Sequence, residues 1–584
     1  MRCRLGVWVV AVSLAAVSCS TGTEAPVSSS TTFPVTQPAT TQATLPPAST
    51  STSAATVPEH RVSRITVDGD RFAVADTAEP FVPVGVDYFN IVPIAGGFED
   101  RGFSPAIFDE AQVTADFTRL ADAGYTTVRM FMDSCGSGDA CIGSSTGRGL
   151  NPEYLAVIAE VTRIARQQGL YLVLTSNDLP DQGGYWEQSN KGASGQFAGY
   201  RNAHYLTAPG VATAVRYWDD LMGGLEDADA AFDAVLAWSI LNEQWFFADQ
   251  PPLSLTSGVV TTANGRSYDL SDPEQKRAVT TDGIRYYIDQ VASVIRGHDP
   301  DGLVTMGFFT PQFPNATAIG GDWYVDTAPL LADSALDFFD LHAYPGGDLD
   351  LAKMAENFGM VGYTARPIIM GEFGAFVDRY PKLDVAAWTL QTWVADSCDL
   401  GFDGWLHWAY VQAPRAIGDA TWGLVDEDGL LLDALSPARR DPCSPADVRT
   451  ANVAFHAPVR ASRSLPAEPP EAAVDGGPAQ WGSGADAPQW IEVAFPDGID
   501  VGSVVLTVAQ WPAGRTVHEI TAMLASGKTV SLHRFDGPTV DGDILEYRLP
   551  EPVTDVVAVR VTTTLSPSWV AWREIEIYGP DDGD

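Results

Sequence analysis

Residues 61 to 442 repeat one pattern: a short apolar run, a polar break, then an amphipathic helical stretch. There are eight such runs, at 81–86, 126–131, 171–175, 235–241, 303–307, 338–342, 367–371 and 404–408. Strands that alternate with helices return to the same end of a sheet at every crossover, so the sheet is parallel. Eight βα units predict an α/β fold of the (β/α)8 TIM-barrel type, with long loops. The rival doubly wound sheet lacks its G-x-G-x-x-G fingerprint after the first run.

The punctuation of the helices fits. Asn151-Pro152-Glu153 reads as an N-cap, a first-turn proline and an early acid, with Tyr154, Ile158, Val161 and Ala165 on one face before Gly169. Ile284, Ile288, Val291 and Ile295 form a second stripe, which ends at Gly297 and Pro300. Ahead of the first run, Val67-Asp68-Gly69-Asp70 lies between alternating apolar residues and predicts a hairpin that closes the barrel bottom. The barrel domain is therefore expected at 60–442.

After residue 442 the texture changes to short strands separated by Gly, Pro and Asp, at 490–495, 504–508, 530–535 and 556–562, the pattern of an all-β sandwich. Asn452-Val453-Ala454, Gln489-Trp490-Ile491-Glu492-Val493 and the closing Trp572-Arg573-Glu574-Ile575-Glu576-Ile577-Tyr578-Gly579 resemble the F5/8 type C, or discoidin-like, galactose-binding-like modules over 447–580. The resemblance implies carbohydrate binding and leaves a structural Ca²⁺ open, although no acidic cluster there has Ca²⁺-loop spacing. Trp481, Trp511 and Trp569 are either sugar platforms or core; Trp490 and Trp572 read as structural.

At the other end, Met1-Arg2-Cys3-Arg4, an apolar run at 5–17 and Ser18-Cys19 follow the order of an export signal too short to span a bilayer. Ala16-Val17-Ser18-Cys19 resembles the lipobox of bacterial lipoproteins, with Ala16 where Leu is usual; it implies a signal at 1–19 and a lipid anchor at Cys19. An ordinary secretory signal is the alternative, and either places the chain outside the cytoplasm. Residues 20–58 are Ser, Thr, Pro, Ala, Gln and Val with little charge, a tether that cannot bury enough apolar surface to fold. Of the six cysteines, Cys3 leaves with the signal and Cys19 goes to lipid. The remaining four predict the pairs Cys135–Cys141 and Cys398–Cys443. Without a C-x-x-C pair, no metal site is expected of them.

Residues that close barrel strands converge on one mouth. The fourth run ends in Leu241-Asn242-Glu243 and the seventh in Met370-Gly371-Glu372-Phe373. Cleaving a glycosidic bond requires a proton for the leaving oxygen and stabilisation of an oxocarbenium-like centre, which two carboxylates supply. These runs, with Val128-Arg129, His342-Ala343-Tyr344 and Trp408, resemble glycoside hydrolase family 5 and its clan A relatives across the whole barrel. The resemblance implies Glu243 as acid/base and Glu372 as nucleophile. It also implies Asn242 at the sugar 2-hydroxyl, Arg129 and Tyr344 hydrogen-bonded to Glu372, His342 lining the site, and Trp408 as the apolar floor. The family often has a His near the end of strand three, where this chain has Asn177. Tyr185, Trp186, Trp245, Phe246 and Phe247 belong to loops after the third and fourth strands, as further sugar subsites or as loop packing.

A net charge of −40 argues against nucleic acid and acidic lipid as partners, which need clustered Lys and Arg. The expected partner is a neutral β-linked glycan of the β-mannan or β-glucan class, with membrane contact only through Cys19. The chemistry needs no metal and no organic cofactor. A glycan-binding surface protein without catalysis is the alternative.

Overall fold

The computed structural model describes residues 62–580, apart from 90, 95–96, 101–102, 133–140, 244–245, 318–324, 412–420 and 427–428. The signal, the tether, Cys19, Cys135 and Trp245 lie outside the described residues.

Eight parallel strands form the barrel: β1 Val84–Tyr88, β2 Thr127–Phe131, β3 Tyr171–Thr175, β4 Val235–Ser239, β5, β6 Phe339–His342, β7 Ile368–Phe373 and β8 Trp405–Tyr410. The fifth comes in two segments, Leu303–Thr305 and Gly307–Phe308. Its first segment pairs with β4 and its second with β6, and this change of partner closes the sheet on itself. The first predicted run began too early: Phe81 belongs to a separate short strand, Pro80–Phe81, paired with the N-terminal hairpin. Pro83 separates the two because it has no N–H to donate to a ladder.

The hairpin itself, Ile65–Asp68 with Arg71–Val74, turns at Gly69 with φ +64°. Its Ile65 and Phe72 pack on Tyr171, Val173, Leu236, Leu303, Phe338, Ile369 and Leu406, which plugs the bottom of the barrel. The helix Pro152–Gln168 is capped by the Asn151 side chain at Glu153 N and stops at Gly169, whose φ of +73° an L side chain would resist. The helix Pro273–His298 runs past Gly297 and ends before Pro300, because its apolar stripe stays buried through Ile295.

In the C-terminal part, two long strands, Gln489–Val508 and Ile544–Leu565, pair antiparallel in stretches separated by register shifts and contribute to both layers of a β-sandwich. Trp481 and Trp572 lie in its core with Ile491, Val504, Leu506, Ile520 and Ile575. Trp511 and Trp569 are 84% and 53% exposed. Trp490, half-buried, lies under the Arg560 guanidinium at 4.2 Å.

One barrel helix, Leu383–Cys398, carries the join between barrel and sandwich. Lys382, just before it, pairs with Glu576 at 2.9 Å and donates to Tyr578. Gln391, buried in its middle, donates to Asp447 Oδ1 and accepts from the Asp447 N–H. Cys398, at its end, forms the predicted disulfide with Cys443. Beside this join, Glu574 accepts from Gly476 N, and its other oxygen is enclosed without a hydrogen-bond partner. Burial first, then Asp475 and Glu576, push its carboxyl up to about 9. A carboxyl whose folded pKa lies above its unfolded value of about 4.3 loses folding stability as pH rises between the two. Urea unfolding in chelator-containing buffer at pH 5 and pH 8 is expected to show roughly 1–3 kcal/mol less stability at the higher pH from this group. Glu574→Gln is expected to remove that loss, and an unchanged pH slope in the variant would refute the assignment.

Candidate active site

At the mouth of the barrel the ends of β2, β4, β6 and β7 bring Arg129, Asn242, Glu243, His342, Tyr344 and Glu372 together. Arg129 projects from β2 into the barrel and is fully buried. Its Nη1 donates to Asp87 Oδ1 at 2.6 Å and to Glu372 Oε1 at 2.7 Å, and its Nη2 donates to Asn242 Oδ1 at 2.6 Å. The Tyr344 hydroxyl donates to the other Glu372 oxygen at 2.8 Å. Both oxygens of Glu372 are therefore held, and the carboxylate is fixed in rotation.

Glu243 sits in a different environment. It follows β4 with φ +43°, a left-handed backbone that costs a non-glycine residue about 1 kcal/mol or more. The turn is pinned from β5, where Ile240 N–H donates to Thr305 O and Gly307 N–H to Leu241 O. Its carboxylate accepts no bond from Arg129 and meets His342 Nδ1 at 2.8 Å. Burial raises its pKa first and Glu372 raises it further, against the opposing charges of His342 and Arg129. The two glutamates thus have distinct surroundings: one is clamped by a guanidinium and a phenol, the other is shielded in a site that favours its protonated form. One oxygen of each carboxylate and a ring nitrogen of His342 all lie within 4.8 Å of one another.

Glu243, His342 and Glu372 have the composition of a three-ligand metal site. A metal would need a bare lone pair on the His342 nitrogen that faces the carboxylates. Burial works against the charge of the ring, but the Glu372, Asp340 and Glu243 carboxylates push its pKa up to about 10, so a metal there would first have to displace a proton.

Trp408, on β8 level with Asp87, packs edge-on against Phe89 at 4.6 Å and Phe131 at 6.2 Å between ring centres, forming an aromatic cluster. Asn177 follows β3, half-buried. Tyr185 and Phe246 are fully buried, Tyr185 donating to Asp220 and Phe246 packing on Tyr205, so both belong to the loop core.

Asp87 and Asp340 were not anticipated as site residues. Both are fully buried, Asp87 at the end of β1 and Asp340 in β6, and both carboxylates face Arg129. The signal for each was a charge beside or within an apolar strand. Asp87 lies just past the run assigned to the first strand, and Asp340 lies inside the run at 338–342.

No protein-family model matches the sequence, and no curated protein matches it. Solved structures do. The chain is similar to the endo-1,4-β-mannanase from Rhizomucor miehei at 20% identity, covering 65% of this chain and 99% of that one, with a TM-score of 0.46. It is similar to the β-mannanase from the blue mussel Mytilus edulis at 14% identity, covering 66% and 99%, with a TM-score of 0.40. A third similarity is to the family 32 CBM from C. perfringens NanJ, solved with galactose, at 16% identity, covering 21% and 92%, with a TM-score of 0.19.

Arg129→Met keeps the volume and removes the charge, leaving Asp87, Asp340 and Glu372 buried without their cation. Loss of one partner of a buried ion pair costs about 3–5 kcal/mol. Denaturant unfolding at pH 7 is expected to show a loss of that size, and one below about 1 kcal/mol would contradict the role given to Arg129.

Proposed function

We propose that this protein is an exported, retaining glycoside hydrolase that cleaves β-linkages in a neutral polysaccharide or oligosaccharide, with Glu372 as nucleophile and Glu243 as acid/base. The observation that carries the reading is the carboxylate pair at the ends of β4 and β7, within 4.8 Å and in opposed environments. Retaining enzymes hold their two carboxyls about 5–5.5 Å apart, whereas inverting ones leave about 6.5–9.5 Å for a water.

In the first step Glu243 gives its proton to the glycosidic oxygen while a Glu372 oxygen bonds to the anomeric carbon and the leaving sugar departs. In the second, Glu243, now a carboxylate, takes a proton from water, the water oxygen bonds to the anomeric carbon, and Glu372 is released. Asn242, held by Arg129, is the sugar 2-hydroxyl partner, and the Trp408 cluster receives the apolar face of the pyranose. The leading substrate class is β-mannan or β-glucan. A lipid anchor at Cys19 and the tether at 20–58 would hold the enzyme outside the membrane.

Reducing-sugar release from mannans, β-glucans, xylans and galactans is the direct test. The full chain is expected to act on at least one of them, and Glu372→Ala to bring release to background with folding intact. Glu243→Ala is expected to lower kcat by about 10²–10⁴-fold, the range for lost proton transfer. Dialysis against a chelator is expected to leave turnover unchanged. Binding without release by folded protein across the panel would favour a non-catalytic glycan-binding protein, and undiminished release by Glu372→Ala would overturn the assignment.

A further inference from the structure

The chemistry above gives no part to Asp340. It lies two residues before His342 on β6, so both side chains enter the barrel, and it is fully buried. Its Oδ1 is 3.5 Å from His342 Nε2, and its Oδ2 is 3.6 Å from Arg129 Nε. The opposite ring nitrogen, Nδ1, is 2.8 Å from Glu243 Oε1 and 3.3 Å from Glu372 Oε2. The imidazole is therefore a wedge with carboxylate oxygens at both ends.

Neighbouring strands leave room for this arrangement. A Cβ at Gly371 would fall 1.7 Å from Asp340 Oδ1, and one at Gly307 would fall 2.9 Å from His342 Nε2. A side chain at either position would displace the carboxylate or the ring. Both glycines flank β6, one on β7 and one on β5.

A neutral imidazole has one N–H and one lone pair, so between two carboxylates it would turn the lone pair toward one of them. Only the imidazolium presents an N–H at both ends, Nδ1 to Glu243 and Glu372, and Nε2 at an ion-pair distance of 3.5 Å from Asp340 without a hydrogen bond. We infer that Asp340 is a positioning residue that keeps His342 an imidazolium wedged between the catalytic carboxylates, an inference that rests on the glycosidase reading. The cation has a use in both steps. Before the sugar is attached the negative charge of the pair is on Glu372; once Glu372 is esterified it is on Glu243. Nδ1 is within reach of both, so one fixed charge offsets the negative charge wherever it resides, with no rearrangement.

The charged groups facing His342 are Asp340 on its own strand, Glu372 from β7, Glu243 after β4 and, farther off, Asp87 from β1, with Arg129 behind Asp340. Burial acts against the ring's charge and the three carboxylates act for it. Replacing Asp340 by Asn removes one of the three and leaves the catalytic pair in place.

The test is NMR of the full chain with ¹⁵N/¹³C-labelled histidine, the His342 signal being identified by its absence in His342→Gln. In the wild type the His342 ring is expected to carry both protons from pH 6 to pH 8. In Asp340→Asn it is expected to lose one within that range, a downward shift of at least about one pH unit. At pH 8 the same variant is expected to show kcat lower by on the order of 10²-fold with KM little changed, and to recover much of it near pH 5, where the ring recharges. A purely structural defect would not recover. A neutral His342 in the wild type at pH 7, or an Asp340→Asn protein whose ring and kcat–pH profile match the wild type, would overturn the inference. If Asp340→Asn does not fold, the wild-type titration decides alone. The NMR readout needs no turnover, so it fails or holds independently of whether any glycan is cleaved.

Discussion

Arg129 is a guanidinium with no exposed surface, and the mouth of the barrel is arranged around the need to neutralise it. An isolated charge in such a place costs many kcal/mol, and here Nη1 is met by Asp87 from β1 and Glu372 from β7, Nη2 by Asn242 after β4, while Nε has only Asp340 from β6 at an ion-pair distance of 3.6 Å. Each of these partners comes from a different strand. Meeting the charge of one side chain therefore fixes how four strand ends stand relative to one another. The placement of Glu372 follows from that constraint, because rotating it away from Arg129 would take one carboxylate from a fully buried guanidinium.

The same balance accounts for the contrast between the two glutamates. Asp87 is pushed well above the ordinary carboxylate range, by burial first, with Glu372 adding to it against Arg129 and His342. Glu243 is raised as well. The upward shift of Glu243 favours its protonated form, which is also the form that can donate to a leaving oxygen. Stability and reactivity draw on the same arrangement of charge.

Much of the barrel was legible in the sequence because its signal is local. The run at 171–175 matches β3 as observed, and Asn151 and Gly169 bound their helix through side-chain and backbone preferences that act within a few residues. Arg129, Asn242, Glu243, His342, Tyr344 and Glu372 come together because strand ends of a parallel barrel share one mouth. What could not be read was non-local. Asp87 was hidden by a strand boundary that Pro83 displaces, and Asp340 is a buried charge whose partners are far away in sequence. The split of β5 between two neighbours depends on barrel closure, which no single run encodes. Loop aromatics were ambiguous for the same reason: Tyr185 and Phe246 turn inward, and only the packing of the loops decides that.

In the proposed reaction Glu372 forms a covalent bond to the sugar while Glu243 handles the proton. Incubation of the active protein with a 2-deoxy-2-fluoro glycoside of the sugar it releases, followed by mass spectrometry of a peptic digest, tests this directly. The fluorine slows both steps, and a good leaving group lets the first proceed, so the glycosyl-enzyme accumulates. The expected result is a single glycosylated peptide with the sugar on Glu372. A sugar attached at any other residue, or an active protein that hydrolyses its glycan with inversion and never forms an adduct, would contradict the account.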